Sequence, residues 1–306
     1  MNNKFRVADC DIVYLSYDEP NAEKNYADLC KKIPWVKRVH GVKGSDAAHK
    51  ACAKISETPR FITIDGDNII DASFVNKEFD LDANKDLASC VISWTARNTI
   101  NGLMYGNGGI KCWPTQYVLD MKTHENAPAD NVHAQVDFCW DVEYIQMNSC
   151  YSEVMNNATP QQAWRAGFRE GCKMALDRGV RVSLEDFKKN HWKNLHRLYI
   201  WLMVGADVKN GSWAIYGARH GLYQTMCTDW DFVNVRDFEY LNQMWNTIDI
   251  TEESLLKSID NLGTDLKLHL GLPIGINPLT ADQSTFFKTV YQNPSRVANQ
   301  QFIDRE

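Results

Sequence analysis

Between Cys10 and Trp94 the chain switches repeatedly from a two-residue to a 3.6-residue hydrophobic period. CDIVYLSY reads as a buried strand, PNAEKNYADLCKKI as an amphipathic helix opened by Pro20, and VKRVHGV as a second strand. SDAAHKACAKIS follows as a small-residue helix capped by Ser45, RFITID as a third strand and LASCVISW as a fourth. Such alternation over short connections predicts an α/β domain: a Rossmann-like, mostly parallel sheet flanked by helices on both faces.

Further along the rhythm changes. YGNGGIKCWPTQYVLDM starts glycine-rich and ends in a short helix, and VEYIQMNSCYSEV is extended. TPQQAWRAGFREGCKMALDRG predicts a helix with Thr159 as N-cap, Pro160 in its first position and Gly179 ending it. SLEDFKKNHWKNLHRLYIWLMVG predicts another. Ser183 and Asp186 resemble a capping box there, and Phe187, Leu195, Leu198, Tyr199 and Leu202 form one apolar stripe. SWAIYGARHG reads as a late strand and turn, and the chain from about Asp231 as mostly helical. The expected division is an α/β domain over 1–230 and a mostly helical C-terminal extension over 231–306.

Composition removes several classes of function. No run of about 18 apolar residues exists, so no membrane span is expected. The opening MNNKFRVADCD has no apolar stretch of the kind a secretory signal needs. Nine scattered cysteines without a CxxC pair point to free thiols in a reducing, cytoplasmic setting. A net charge of −6 argues against a surface that grips nucleic acid everywhere, though not against a local basic groove. The densest basic and aromatic cluster is KNHWKNLHR, either such a groove or a solvated helix face.

The chemistry concentrates in RFITIDGDNIID. Asp65 and Asp67 end a buried strand with one small residue between them, where an open α/β sheet places its ligands. Two carboxylates so close repel, and a divalent cation shared with a phosphate relieves that repulsion. Oxygen ligands favour Mg2+ or Mn2+ over zinc. Gly66 lets the chain turn tightly, and Asn68 adds a polar neighbour. An Asx-type turn is the plainer alternative. Without a cation this loop is expected to be the least settled part of the site.

At these residues the sequence resembles the glycosyltransferases of the GT-A fold, over roughly residues 10 to 225. The resemblance implies a metal-dependent transferase taking a sugar from a nucleotide donor, with UDP-sugar expected. Asp65 and Asp67 would hold the metal against the donor diphosphate. Ser16, Asp18 and Glu19 would lie in the loop that cradles the base, although Asp18 and Glu19 also suit a plain helix start. Lys50 would face phosphate or base from the small-residue helix, and His220 would be a third metal ligand. Gly106, Gly108 and Gly109 would lie beneath the donor sugar, with Trp113 either stacked on it or in the core. As a dinucleotide fingerprint those glycines fail. Arg165 and Arg169, four apart, would clamp the diphosphate or face solvent as an ordinary pair. The family's usual Glu-Asp pair is missing; Asp137, Asp141 and Glu170 are the candidates for the base that deprotonates the acceptor, Asp137 first.

TPQQAWRAGFREG, YGNGGIKCWP and TIDGDN are also similar to small bacteriophage glycosyltransferases, some of which modify 5-hydroxymethylcytosine in DNA, arabinosyltransferases among them. That implies hydroxymethylated double-stranded DNA as acceptor and, for a phage protein, the host cytoplasm as location. Lys188, Lys189, Lys193 and Arg197 form the one basic helix region fit for such a polymer. A polysaccharide or lipid-linked glycan acceptor, or a non-catalytic nucleotide- or carbohydrate-binding module, remains open beside it.

Overall fold

The computed structural model describes residues 4–80, 90–105, 109–126, 142, 144–272 and 274–291. Its elements fall into two units. One holds the described residues up to Asn98 and Met104–Met155; the other holds Thr99–Leu103 and Asn156–Tyr291. The boundary expected at 230/231 therefore lies inside the second unit.

The first unit contains β1 (Lys4–Arg6), β2 (Asp11–Ser16), α1 (Ala22–Lys32), β3 (Lys37–His40), α2 (Ser45–Ile55), β4 (Arg60–Asp65) and β5 (Asn68–Ile70). β6 (Glu78–Asp80), β7 (Val91–Asn98), β8 (Met104–Tyr105), β9 (Ile110–Pro114), α3 (Thr115–Asp120) and β10 (Tyr144–Val154) complete it. β1 and β6 pair with each other. The other strands form one sheet in the order β3-β2-β4-β9-β7-β10-β5, with β8 on β7. β2, β3 and β4 run parallel, as do β7 and β10. β9 is antiparallel to both its neighbours and so keeps β4 and β7 in a common direction. The glycine-rich segment thus leads into an antiparallel strand at the centre of an otherwise mostly parallel α/β sheet.

Burial follows from the strand period. Phe61 to Ile64 of β4 are buried without exception, as expected of a central strand covered on both faces. Ile12, Tyr14, Ile62, Ile64 and Ile110 point to one face and pack with Leu29 of α1. Val13, Phe61 and Trp113 point to the other and pack with Cys52 and Ala53 of α2 and Val118 of α3. Each Val, Leu, Ile and Phe among them adds about 1.5–3 kcal/mol when fully buried. The sheet is therefore a stiff platform for the loops at the carboxyl ends of β2, β3 and β4. α2 starts one residue earlier than a Ser45 cap requires: Gly44 is the N-cap, at φ 91°. The carboxylate of Glu125 accepts the N–H groups of Ser45 and Asp46, at 2.5 and 3.3 Å.

The second unit is helical: α4 (Pro160–Ala175), α5 (Trp192–Trp201), α6 (Gly211–Cys227), α7 (Phe238–Asn246), α8 (Glu252–Leu270) and α9 (Ala281–Val290). Thr159 caps α4, its side chain accepting from Gln162 N, with Pro160 in the first position. The helix stops at Ala175, before Gly179; Arg178 and Gly179, both at positive φ, form the turn that follows. The single long helix expected from Ser183 is broken. Asp186 N donates to Ser183 Oγ, 3.1 Å, but only a short 3-10 turn follows, Phe187–Lys189. Asn190 is extended (ψ 154°) and donates to Ala175 O, 2.7 Å, so α5 begins afresh at Trp192.

The expected strand and turn at SWAIYGARHG is instead the middle of α6. Its glycines are there for helix packing. A Cβ on Gly217 would sit 2.1 Å from Trp164 O, and one on Gly221 2.1 Å from Phe168 O. From the opposite side, a Cβ on Gly167 or Gly171 would strike Ala214 O or Ala218 O at 1.9 and 2.1 Å. Two glycine stripes, each with a four-residue step, thus bring the backbones of α4 and α6 into direct contact. Among the described residues, no helix is long and apolar enough to cross a membrane, and the eight described cysteines are free thiols.

Candidate active site

The carboxyl ends of three parallel strands bring Ser16, His40 and Asp65 side by side: Ser16 pairs with His40 and Leu15 with Asp65 in the sheet register. The Asp65–Asp67 loop that follows β4 is held through its backbone at each residue. Asp65 N donates to Gly109 O, 2.9 Å, and Met155 N donates to Asp67 O, 2.7 Å. Gly66 O lies 2.7 Å from the Tyr14 hydroxyl and accepts from Asn25 Nδ2 at 3.0 Å. The expectation of an unsettled loop therefore needs correcting. The backbone is fixed, and the electrostatic conflict resides in the side chains.

Three carboxylates meet there. Glu19 lies over the loop, and Gly66 admits it: a Cβ at Gly66 would stand 2.7 Å from Glu19 Oε2 and 2.9 Å from Ser16 Cβ. Glu19 Oε2 accepts from Tyr17 N, 2.8 Å. Burial pushes the Glu19 carboxyl above its ordinary range, and the charges of Asp18 and Asp65 add to this. Burial, then the charges of Asp65 and Glu19, push Asp67 up to about 7. Asn68 Nδ2 donates to Asp67 Oδ1, 2.7 Å. Asn68 is 3% exposed, and its own Oδ1 is buried with no hydrogen-bond partner. Gly109 exists to admit that amide, since a Cβ there would lie 2.0 Å from Asn68 Nδ2.

Two groups near the acids carry no signature in the sequence. Lys111 of β9 projects from the same face of the sheet as Asp65 and reaches it, Nζ to Oδ2 3.6 Å, with its side chain only 13% exposed. On α2, His49 Nδ1 sits 2.8 Å from Ser45 O, an acceptor only, so that nitrogen carries the proton. Burial drives the pKa of His49 down to about 4. Its ring packs edge-on against Trp113, 5.3 Å between centroids. Only the pairing of β9 with β4 brings Lys111 to Asp65, and periodicity alone does not reveal that register.

The other expected residues separate clearly. Ser16 is buried, its Oγ 2.9 Å from His40 Nδ1, and Asp18 is exposed. Lys50 pairs with Asp46 one helical turn away, 2.9 Å. Trp113 is fully buried and donates from Nε1 to Thr63 Oγ1, 2.9 Å, as a core residue. Arg165 and Arg169 of α4 both lie on the ring of Phe238, 4.6 and 4.7 Å from its centroid. They belong to the second unit, as does Glu170. His220 lies in α6, not at a strand end. Its Nδ1 accepts from Trp164 Nε1, 3.3 Å, and its Nε2 lies 3.3 Å from Gln224 Nε2. Both ring nitrogens thus face polar side chains of α4 and α6, and the ring packs against Trp164, Phe168 and Tyr216. Asp137, Asp141, Gly106 and Gly108 lie outside the described residues.

Among the described residues, no group of three His, Cys, Asp or Glu side chains is close enough to hold a metal ion alone. Asp65 and Asp67 would supply two oxygen ligands to such an ion, and the rest would come from a ligand or water. The donor set is hard, partly shielded and over-supplied with negative charge, which suits Mg2+ or Mn2+.

No protein-family model and no curated protein matches the chain. Two solved structures to which it is similar each span about half of it. One is a glycosyltransferase involved in glycosylation of the major capsid of PBCV-1, at 12% identity and TM-score 0.32 over 49% of this chain and 94% of that one. The other is HddC from Yersinia pseudotuberculosis, at 16% identity and TM-score 0.27 over 51% of this chain and 76% of that one. Likeness at this level carries no argument about chemistry, which rests here on the residues.

Proposed function

We propose that the first unit binds a nucleotide-sugar through a divalent cation and that the protein is a glycosyltransferase. The observation that carries this reading is a set of three carboxylates at the carboxyl ends of parallel strands, Asp65 and Asp67 on the fixed loop after β4 and Glu19 reaching over it from the connection between β2 and α1. Apolar burial does not explain such a set, whereas a metal-bound diphosphate uses it. In this reading Asp65 and Asp67 hold Mn2+ or Mg2+, which neutralises the diphosphate leaving group of the donor. Lys111 balances Asp65 before the cation arrives and faces the diphosphate afterwards. Glu19 and Ser16 form the wall on the nucleotide side. The base that takes the acceptor proton is assigned to Asp137 or Asp141.

UDP-sugar is the proposed donor. The proposed acceptor is the hydroxymethyl group of 5-hydroxymethylcytosine in DNA, with arabinose or another sugar transferred. The support is the basic and aromatic character of the Lys188–Arg197 region in a chain that is acidic overall. Mass spectrometry of hydroxymethylcytosine DNA, incubated with the protein, Mn2+ and a panel of sugar nucleotides, tests donor and acceptor together. A mass gain of one sugar on the modified base supports the reading. Donor hydrolysis without DNA modification would move the acceptor to a polysaccharide or lipid-linked glycan. Absence of any turnover, with nucleotide still bound, would leave a binding module.

A further inference from the structure

Helix α5 opens on a ring cluster built from consecutive residues. His191 is its N-cap, with Nδ1 accepting from Lys193 N at 3.3 Å. The ring of Trp192 is 50% exposed, lies 6.1 Å from the His191 ring at 25°, and has Lys193 Nζ 5.7 Å from its centroid. One turn along, His196 stacks on Tyr291 (5.7 Å, 19°) and its Nε2 lies 2.8 Å from the Tyr291 hydroxyl. Tyr291 stacks in turn on Phe287 of α9 (5.0 Å, 24°). A ladder of near-parallel rings thus runs from α5 to α9.

Charge favours one kind of occupant. Lys188, Lys189, Lys193 and Arg197 fall within ten positions, and no acidic residue occurs from Phe187 to Ala206, in a chain of net charge −6. Lys189 pairs with Asp186 at 2.6 Å. The positive charge of Arg197 is felt by both His196 and Tyr291. Aromatic faces edged with cations, on an acidic protein, fit a polyanion that also offers flat rings. An uncharged glycan has no use for the cations. A bilayer needs several exposed apolar side chains on α5, whereas Leu198, Ile200 and Trp201 are buried.

We infer that this surface holds a nucleic-acid strand with unpaired bases. Trp192 stacks on a base, while Lys188 and Lys193 meet the phosphates. As the place where an acceptor is held, it rests on the DNA-acceptor reading above; as a binding surface it stands on its own residues.

The test is fluorescence anisotropy of a labelled 20-nucleotide oligo-dT with the full chain, beside a duplex of the same length and vesicles containing an anionic lipid. The single strand should bind more tightly than the duplex. Two phosphate contacts predict an affinity falling about sevenfold between 50 and 200 mM NaCl. Trp192→Ala should weaken binding about tenfold and Trp192→Phe should restore most of it. Lys188→Glu with Lys193→Glu should weaken binding and flatten the salt dependence, whereas Lys257→Glu on α8 should not. Binding unaffected by Trp192→Ala, or none at 50 mM NaCl, overturns the inference. So does vesicle binding that depends on the same residues in place of oligonucleotide binding. If the double lysine variant does not fold, the Trp192 pair and the salt slope decide. Donor hydrolysis without acceptor reports separately on the first unit. Lost oligonucleotide binding with hydrolysis intact therefore counts against this inference alone, and absent hydrolysis with intact binding against the donor reading alone.

Discussion

At the scale of single residues, the consequences centre on Asp67. Its carboxyl is pushed up to about 7 in the fold from an ordinary 3.8. Between those two values the folded chain holds a proton that the unfolded chain has released, so stability is greatest on the acid side and falls as pH rises through the window. Asp67→Asn removes the effect. It should melt higher than the native protein at pH 8 without cation, by the equivalent of ~1–2 kcal/mol once solvent screening is allowed for, and show a flatter pH profile. It should also lose the rise in melting temperature that Mn2+ gives the native protein. An unchanged pH profile in thermal melts would contradict this. Lys111→Met takes the cation away from Asp65, so the metal-free protein should melt lower and its Mn2+-induced rise should grow; an equal rise in both would remove Lys111 from the site. Asp65 and Asp67 were legible in the sequence because two acids ending an apolar run are conspicuous. Lys111 and His49 were not, because their place depends on strand register and helix docking. His220 and Trp113 looked like ligands only because a histidine or a tryptophan beside glycines does not disclose that its partners are other core side chains.

Among secondary elements, the sheet and its two flanking helices followed closely from hydrophobic period, with RFITID matching β4 residue for residue. The misreading fell on α6. Glycine in a helix interior costs about 1 kcal/mol relative to alanine, so YGARHG reads as a turn when judged by propensity alone. Packing reverses that preference, since the absence of Cβ atoms is what allows α4 and α6 to touch. Gly217→Ala should therefore destabilise the protein despite its better helix propensity, by at least ~2 kcal/mol in denaturant melts. A neutral or stabilising result would mean the two backbones are not in contact. The break in the expected helix after Ser183 has a similar origin: the Asn190 amide is committed to Ala175 O, and a distant carbonyl leaves no local trace.

For the whole molecule, the sequence contains no linker at Asn156, and the real division is set by which residues share a core. The extension expected after residue 230 begins some 75 positions earlier, because α6 packs on α4 on one side and is tied to α8 on the other, where Arg219 donates to Ile259 O at 2.8 Å. The functional account rests on a narrower base than the fold: two carboxylates on a pinned loop and a third, Glu19, over it. The decisive measurement is turnover of UDP-sugars, followed as UDP release, with Mn2+ or Mg2+ and with chelator, in the native protein and in Asp65→Asn and Asp67→Asn. The account predicts release that needs the cation and falls at least 100-fold in either variant, the loss expected when a transition-state charge goes unstabilised. Release that persists in chelator, or equal rates in both variants and the native protein, would contradict it.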